Sequence, residues 1–227
     1  MFDRLELLIG KDNLNELKNK TVLILGVGGV GGYVVESLVR SSIGHLILVD
    51  FDKVDVSNIN RQIIATTDNI GKLKVDCFKE RINSINPDCL VDTYPIFYGN
   101  DNKELLFNQE IDYVVDCCDS LESKMIIIKE SLRRNIPIIS SMGTGNKFHP
   151  ELLKVSKLKN TCYDPLAKKL RYLLKDDKGA LNIKVVYSEE MPIKGLEKIG
   201  STSFVPSTAG LLLSSVVIND FLEGEIK

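Results

Sequence analysis

A glycine-rich turn and one aspartate are the first residues in this chain that could bind a nucleotide. The pattern Gly26-x-Gly28-x-x-Gly31, with Gly29 inside it, follows an aliphatic run and precedes a helical pattern. Glycines at a strand-to-helix turn let the backbone approach a phosphate, and the free N–H groups of the helix start face the anion. Asp50 lies about 20 residues further on, where a carboxylate can accept hydrogen bonds from ribose hydroxyls. A tight turn without a ligand would also explain the glycines.

Polar side chains continue beyond Asp50 and indicate a triphosphate rather than a dinucleotide. They are Asp52, Asn58, Asn60, Arg61 and Gln62. A guanidinium and carboxamides beside such a turn can clamp phosphates. A dehydrogenase has no use for these groups at this position.

Lys74 and Asp119 are two further candidates. Lys74 falls in the first turn of a helix predicted over residues 71–85, where the helix dipole disfavours a cation and a bound phosphate would offset the penalty. Asp119 follows a strand predicted over residues 111–116. It could bind Mg²⁺ as a hard oxygen donor, or it could simply cap the next helix.

The elements that must position these residues alternate along the chain. Strands are predicted over residues 21–26, 45–50, 90–94, 111–116 and 136–140. Helices are predicted over residues 12–18, 33–43, 71–85, 102–107 and 121–135, and a buried helix, in the core or facing a dimer partner, over residues 206–221. This alternation predicts an α/β fold that is Rossmann-like and doubly wound, with a largely parallel sheet and helices on both faces.

Composition narrows the number of domains and the class of protein that this chain can be. With 227 residues and 44% hydrophobic content, we expect one domain over residues 1–227, with a nucleotide-binding core over residues 21–141. The net charge of −2 argues against a generally basic nucleic-acid binder. No signal pattern opens the chain, and the longest apolar stretch, residues 209–218, is too short to span a bilayer. We therefore expect a cytoplasmic protein without a membrane partner.

The five cysteines form no C-x-x-C pair, so no zinc site is expected, and the odd count fits a reducing compartment. Cys117 and Cys118 follow an apolar strand and are interpreted as small buried hydrophobic residues rather than nucleophiles. Cys162 lies in a polar stretch and is the one remaining candidate for a reactive thiol.

Five short motifs occur in a recognisable order over about 100 residues. They are the turn at residues 26–31, Asp50-x-Asp52, Asn58-x-Asn60-Arg61-Gln62, Gly71-x-x-Lys74 and Asp116-x-x-Asp119-Ser120. This order resembles the ubiquitin-activating-type adenylating superfamily. Further stretches at residues 143–145, 164–171, 186–190 and 200–206 resemble one branch, the tRNA threonylcarbamoyladenosine dehydratases. The resemblance runs from about residue 4 to residue 221.

The resemblance implies an ATP- and Mg²⁺-dependent enzyme that adenylates the carboxylate of threonylcarbamoyladenosine in tRNA, beside the anticodon. Cyclisation then releases AMP, after pyrophosphate has already left. The implied nucleotide-binding residues are Gly26, Gly28, Gly29, Gly31, Asp50, Asp52, Asn58, Asn60, Arg61, Gln62, Lys74 and Asp119. Of these, Gly28, Gly29 and Gly31 would cradle phosphates, and Asp50 and Asp52 would hold the ribose. Arg61, Lys74 and Asp119 would be catalytic, with Asp119 holding the magnesium.

The same resemblance implies a homodimer in which Arg4 reaches the ATP of the partner subunit, although Arg4 could equally be an ordinary surface arginine. The resemblance leaves open whether the protein also binds a monovalent cation or a sulfur-relay partner. Residues 147–184 form a basic, less regular segment on the substrate side, with ten lysines and arginines against four acids. This segment could be a footprint for tRNA phosphates or only a solvated face.

Three other functions fit parts of the sequence. An adenylyltransferase for the Gly-Gly tail of a sulfur-carrier protein would share the ATP site, but many such enzymes carry two zinc-binding C-x-x-C pairs. An NAD-dependent oxidoreductase is supported only by the glycine turn. A non-catalytic tRNA- or protein-binding module would not need to keep Arg61, Lys74 and Asp119.

Overall fold

The computed structural model describes residues 1–222 of the chain. The strands are β1 (Thr21–Leu25), β2 (His45–Val49), β3 (Leu90–Tyr94), β4 (Tyr113–Asp116), β5 (Ile138–Ser141), β6 (Leu153–Lys157) and β7 (Lys184–Ser188). The helices are α1 (Asp3–Ile9), α2 (Lys11–Leu17), α3 (Gly31–Arg40), α4 (Lys74–Ile85), α5 (Leu121–Arg133), α6 (Pro165–Leu173), α7 (Lys178–Leu181) and α8 (Phe204–Leu222).

The strands of this region form one sheet in the order β3-β2-β1-β4-β5-β7-β6. All neighbours are parallel except β6, which runs antiparallel to β7. The strand order reverses between β1 and β4, where Leu25 pairs with Val49 on one side and Asp116 on the other. Ligands of doubly wound sheets bind at the carboxyl end of such a reversal. The predicted fold is confirmed.

Alternating residues of β1 enter two separate cores, because successive strand side chains point to opposite faces. Val22 and Ile24 pack into the core that includes residues of α3, α4 and α8. Leu23 and Leu25 pack into the core that includes residues of α5 and α6. Helices therefore cover both faces and hold the carboxyl edge of the sheet in place.

Helix α8 is the long apolar helix predicted near the end of the chain. Its 19 residues are long and apolar enough to cross a membrane by length and composition, which the shorter stretch 209–218 did not indicate. However, Ala209, Leu213 and Val217 are fully buried in the core. A Cβ on Gly210 would lie 2.4 Å from the carbonyl oxygen of Val30, so the helix rests directly on the start of α3. Helix α8 is a core helix of this fold.

Several predicted boundaries were wrong for local reasons. Helix α4 begins at Lys74 rather than residue 71, because Gly71 has a φ of +86° and a 3₁₀ turn precedes it. The helix predicted over residues 102–107 is only a 3₁₀ turn at Leu105–Phe107. Helix α5 ends at Arg133, just before Asn135 adopts a left-handed conformation with a φ of +57°.

The regions before and after the predicted nucleotide-binding core also differ from what was expected. Helix α1 was not predicted, and it precedes the expected helix near residues 12–18, which is α2. The segment 147–184 is more regular than expected, since it contains β6, α6 and α7.

Candidate functional site

A cavity of about 700 Å³ opens at the carboxyl edge of the sheet, beside the reversal of strand order. One side is here called the glycine-turn wall, and it consists of residues 26, 28–30, 50–52, 58, 61, 62 and 74. The opposite side is here called the far wall, and it consists of residues 142–147, 164–166, 192, 193, 199, 201 and 206. The volume is in the range of sites that hold a nucleotide-sized ligand.

The glycine turn lies against the loop that follows β4. Gly26 has a φ of +84°, and a Cβ there would lie 2.9 Å from the backbone nitrogen of Cys118. Gly26, Gly28 and Gly29 line the cavity, as expected for residues that approach phosphates. Gly31 does not line it; a Cβ on Gly31 would lie 1.8 Å from the Gly26 carbonyl oxygen. Gly31 therefore permits close packing of turn and helix, and its predicted place in the phosphate cradle stays a prediction.

Asp50 fixes the shape of the turn. Its two carboxylate oxygens accept hydrogen bonds from the backbone N–H of Val27 at 2.8 Å and of Asp52 at 2.9 Å. Burial raises the pKa of the Asp50 carboxyl, while the nearby Lys74 cation acts in the opposite direction. Asp50 also lines the cavity, where the ribose was predicted to bind.

Lys74 is the first residue of α4 and is almost fully buried. Its ammonium group lies 2.7 Å from the carboxylate of Asp52. The cation at a helix start was expected to need a bound phosphate as its counter-charge. In the structure Asp52 already supplies that charge, so the dipole argument does not by itself require a ligand. Both side chains line the cavity, where they can meet a ligand together.

Arg61 is held at the cavity by its own loop. Its guanidinium donates to the carbonyl oxygen of Ser57 at 2.9 Å and to the side-chain oxygen of Asn60 at 3.0 Å. Asn60 does not line the cavity; its amide donates to the carbonyl oxygen of Ser201 at 3.1 Å. Asn60 thus links Arg61 to the far wall and positions that cation rather than lining the cavity itself.

Asn58 and Gln62 also line the cavity. Asn58 accepts from the backbone N–H of Asp55 in a reciprocal capping arrangement that shapes the loop. Gln62 is 7% exposed, and its side-chain oxygen has no hydrogen-bond partner within residues 1–222. An unpaired buried acceptor is costly, so this oxygen is well placed to accept from a bound ligand or a water molecule.

Asp119 is exposed at the cavity. The cap of α5 is Ser120, whose hydroxyl accepts from the backbone N–H of Ser123 at 3.3 Å, so the capping explanation for Asp119 was wrong. The described part of the chain holds no group of three or more His, Cys, Asp or Glu that could bind a metal. Mg²⁺ needs only one or two carboxylates when a nucleotide supplies the other oxygens, and Asp119 fits that limited requirement.

A buried network lies beneath the cavity and was missed by the sequence analysis. Lys124 donates to the Asp116 carboxylate at 2.9 Å, to the Ser140 hydroxyl at 3.2 Å and to the Ser141 carbonyl oxygen at 2.7 Å. Burial disfavours the charge on Lys124, yet Asp116 holds the Lys124 pKa above its ordinary value. The network ties the ends of β4 and β5 to α5. The available signal was a lysine directly before the apolar run at residues 125–128.

The thiols beside the cavity are not activated. Burial, with the Asp116 carboxylate adding to it, raises the pKa of both Cys117 and Cys118. The Cys118 thiol donates to Asp116 at 3.1 Å. Cys162, the other candidate, is half-buried with its sulfur 3.8 Å from the Tyr187 hydroxyl. The five cysteines are free thiols.

The far wall contains a buried ion pair and a loop anchor that the sequence analysis did not identify. Lys147 donates to the Asp164 carboxylate at 3.0 Å and to the Gly143 carbonyl oxygen at 2.8 Å. Asn146 exchanges hydrogen bonds with the backbone of Gly200 and accepts one from the Ile193 N–H. These contacts join the turn after β5 to α6 and to the loop 192–201.

Arg4 is exposed on α1 and does not line the cavity of this chain. Its predicted role concerns a partner subunit and stays a prediction.

The glycine turn and its cations at the reversal of a doubly wound sheet define an α/β nucleotide-binding protein. The family model described as "ThiF family" matches residues 2–211, and the chain belongs to that family. The expected resemblance to the tRNA threonylcarbamoyladenosine dehydratases is confirmed. The chain is 40% identical to the tRNA threonylcarbamoyladenosine dehydratase of Bacillus subtilis, covering 100% of this chain and 96% of that protein.

A solved structure extends the similarity to three dimensions. The Escherichia coli tRNA N6-threonylcarbamoyladenosine dehydratase TcdA, in complex with ATP, matches with a TM-score of 0.92 at 34% identity. The match covers 97% of this chain and 93% of that one. The adenylyltransferase and sulfurtransferase UBA4 of Scheffersomyces stipitis is 35% identical over only 65% of this chain and 33% of its own length. The dehydratases therefore match both walls of the cavity, since they match the whole chain.

Proposed function

We propose that this protein is an ATP-dependent tRNA threonylcarbamoyladenosine dehydratase. The observation that carries the proposal is similarity over the whole chain to proteins of that name, which includes the far wall as well as the glycine-turn wall. Arg61, Lys74 and the unpaired Gln62 oxygen lie on one wall of one cavity, and this donor and acceptor set fits a nucleoside triphosphate.

The chemistry begins with a carboxylate, which is a poor electrophile. An oxygen of the threonylcarbamoyl carboxylate attacks the α-phosphorus of ATP, and pyrophosphate leaves with the bonding electrons. Arg61 and Lys74 stabilise the negative charge that grows on the phosphates as this bond breaks. Because Asp52 and Asn60 hold these two cations in place beforehand, little reorganisation is needed at that moment.

The second step closes a ring. A nucleophile within the same threonylcarbamoyl group attacks the activated carbonyl carbon, and AMP leaves as a good leaving group. One water is lost overall, and its oxygen departs with AMP. No enzyme thiol takes part, in agreement with the raised pKa of Cys117 and Cys118.

Magnesium is part of the proposal. Asp119 would hold it at the cavity, and the ion would neutralise phosphate charge when bound. The carboxylates of the glycine-turn wall are already engaged, Asp50 with backbone N–H groups and Asp52 with Lys74.

A cytoplasmic homodimer is also part of the proposal. Two large apolar side chains of α1, Leu7 and Leu8, are 81% and 77% exposed and lie close in sequence to Arg4. A partner subunit that covered them would bring Arg4 near a subunit boundary. A cytoplasmic location would give the enzyme access to ATP and tRNA.

The test is AMP release from ATP and Mg²⁺ by the purified protein, with tRNA that carries or lacks threonylcarbamoyladenosine. AMP formed only with the modified tRNA, together with loss of one water from that nucleoside, is the expected result. ATP binding without tRNA-dependent AMP would redirect the assignment to a carrier-protein adenylyltransferase. No binding of ATP would contradict both.

A further inference from the structure

The positive charge of residues 147–184 is unevenly distributed over the folded chain. Three of its cations are compensated by carboxylates, in the pairs Lys147–Asp164, Lys154–Glu189 and Lys184–Asp220. Arg171 is partly buried and donates to the Thr161 hydroxyl. By contrast, six lysines are exposed without a carboxylate partner in the described part of the chain: Lys157, Lys159, Lys168, Lys169, Lys175 and Lys178. Of these, Lys168 and Lys169 lie on α6, and Lys175 follows two residues after its end.

Helix α6 presents this charge on one face. Its buried residues are Ala167 and Leu170, which pack into the core. Lys168 and Lys169 lie one turn before Tyr172, so the three side chains share the outer face. These three residues, together with Tyr163 just before the helix and Lys175 just after it, are here called the α6 stripe.

The stripe begins at the mouth of the cavity. Asp164, Pro165 and Leu166 line the far wall, and α6 extends for about 12 Å from there to Tyr172. The acid at this end, Asp164, is fully buried and neutralised by Lys147. A polyanion that enters the cavity therefore meets no exposed acid at the start of the stripe, and meets cations beyond it.

Two aromatic rings accompany the cations. Tyr163 is 60% exposed and is held with a φ of +54°, directly before the residues that line the cavity. Tyr172 is 71% exposed, with the Lys175 ammonium 5.6 Å from its ring centre. Exposed aromatic rings stack on unpaired bases, and interleaved cations neutralise the phosphates between them.

We propose that the α6 stripe is the surface that holds the anticodon loop of the tRNA substrate. Lys168 and Lys169 contact phosphates, and Tyr163 stacks on a base next to the modified adenosine that enters the cavity. The inference rests on the proposed function, because it takes tRNA as the substrate. Single-stranded RNA is the occupant that matches both features of the stripe, uncompensated cations and exposed rings on one path from the cavity.

The first experiment compares K168A/K169A with K79A/K129A, which removes two exposed lysines from α4 and α5 and so changes the net charge equally. Binding of modified tRNA is measured by fluorescence anisotropy at several salt concentrations. Loss of two phosphate contacts to single-stranded RNA should lower the slope of log affinity against log salt by about 1.4. The KM for tRNA should rise several-fold while the KM for ATP stays unchanged.

The second experiment compares Tyr163→Ala with Tyr163→Phe in the same assays. Phenylalanine keeps the ring and alanine removes it, while both keep a side chain on the same left-handed backbone. We expect Tyr163→Ala to weaken tRNA binding and Tyr163→Phe to bind like the wild type. A thermal melt of each variant checks that the fold is intact.

The proposal is overturned if K168A/K169A binds tRNA with the wild-type salt slope, or if K79A/K129A lowers the slope equally. It is also overturned if Tyr163→Ala binds like the wild type. Binding is read without turnover, so these outcomes decide the surface even if the wild type releases no AMP. Absence of tRNA-dependent AMP from the wild type would instead contradict the proposed function.

Discussion

The two walls of the cavity are built in different ways. The glycine-turn wall comes mainly from one continuous stretch, residues 26–74, and its cations are positioned by neighbours in that stretch. The far wall joins the turn after β5, the start of α6 and the loop 192–201, and a buried ion pair holds two of these segments together. The first wall is therefore dominated by groups that can act on phosphates, and the second by contacts that assemble it.

This difference predicts that variants of the first wall lose rate and variants of the second lose stability. The largest effect is expected for Arg61→Ala, which removes a cation from the phosphate side. AMP formation should fall about 10³-fold or more, because a group that stabilises developing charge has an effect of that size. The melting temperature should stay close to that of the wild type, since both hydrogen bonds that Arg61 donates within residues 1–222 stay in its own loop.

Arg40→Ala is the matched control, because Arg40 is an exposed arginine paired with Glu36 on α3. It should retain full activity in the same AMP assay. Near-normal turnover by Arg61→Ala would remove the distinction between the two walls.

The opposite result is expected for Asp164→Ala. It leaves Lys147 buried without its carboxylate, and it removes the cap of α6. The free energy of unfolding should fall by about 3 kcal/mol. Asp177→Ala removes only the cap of α7, so its loss should be about 1 kcal/mol in the same denaturant titration. Equal losses in the two variants would show that the Lys147–Asp164 pair does not hold the far wall together.

Gly210→Ala tests the support behind the cavity rather than either wall. The added Cβ would approach the Val30 carbonyl oxygen and push α8 away from α3. We expect the unfolding free energy to drop by about 2 kcal/mol, as for other overpacked cores. Ser215→Ala, on the exposed face of the same helix, should change it by less than about 0.5 kcal/mol. Equal unfolding free energies for the two variants would show that α8 can move away from α3 without loss of stability.

The smallest effect is expected at the cysteines. The raised pKa of the Cys118 thiol means that less of it is thiolate at any pH than for a free cysteine. Cys118→Ala and Cys162→Ala should each keep AMP formation within about twofold of the wild type, and iodoacetamide should label Cys118 slowly near neutral pH. A large loss of activity in either variant would place a thiol in the reaction.

The comparison also explains how much the sequence could predict. Strands β1 to β5 and the cavity residues Gly28, Arg61 and Lys74 follow from local patterns, because short-range spacing determines them. The packing contact of Gly31 with Gly26 and the hydrogen bond of Asn60 to Ser201 were not predicted, since each depends on what lies opposite in space. The Lys147–Asp164 and Lys124–Asp116 pairs were missed because a lysine in a helix or loop carries no sign of the distant carboxylate that will accept its charge.

Asp50 has one further consequence. Its carboxylate already holds the backbone N–H groups of Val27 and Asp52 before any ligand arrives. The conformational entropy lost in ordering the glycine turn is therefore incurred when the chain folds, and not again when a ligand binds. A turn ordered in advance can bind and release its ligand without a folding step of its own.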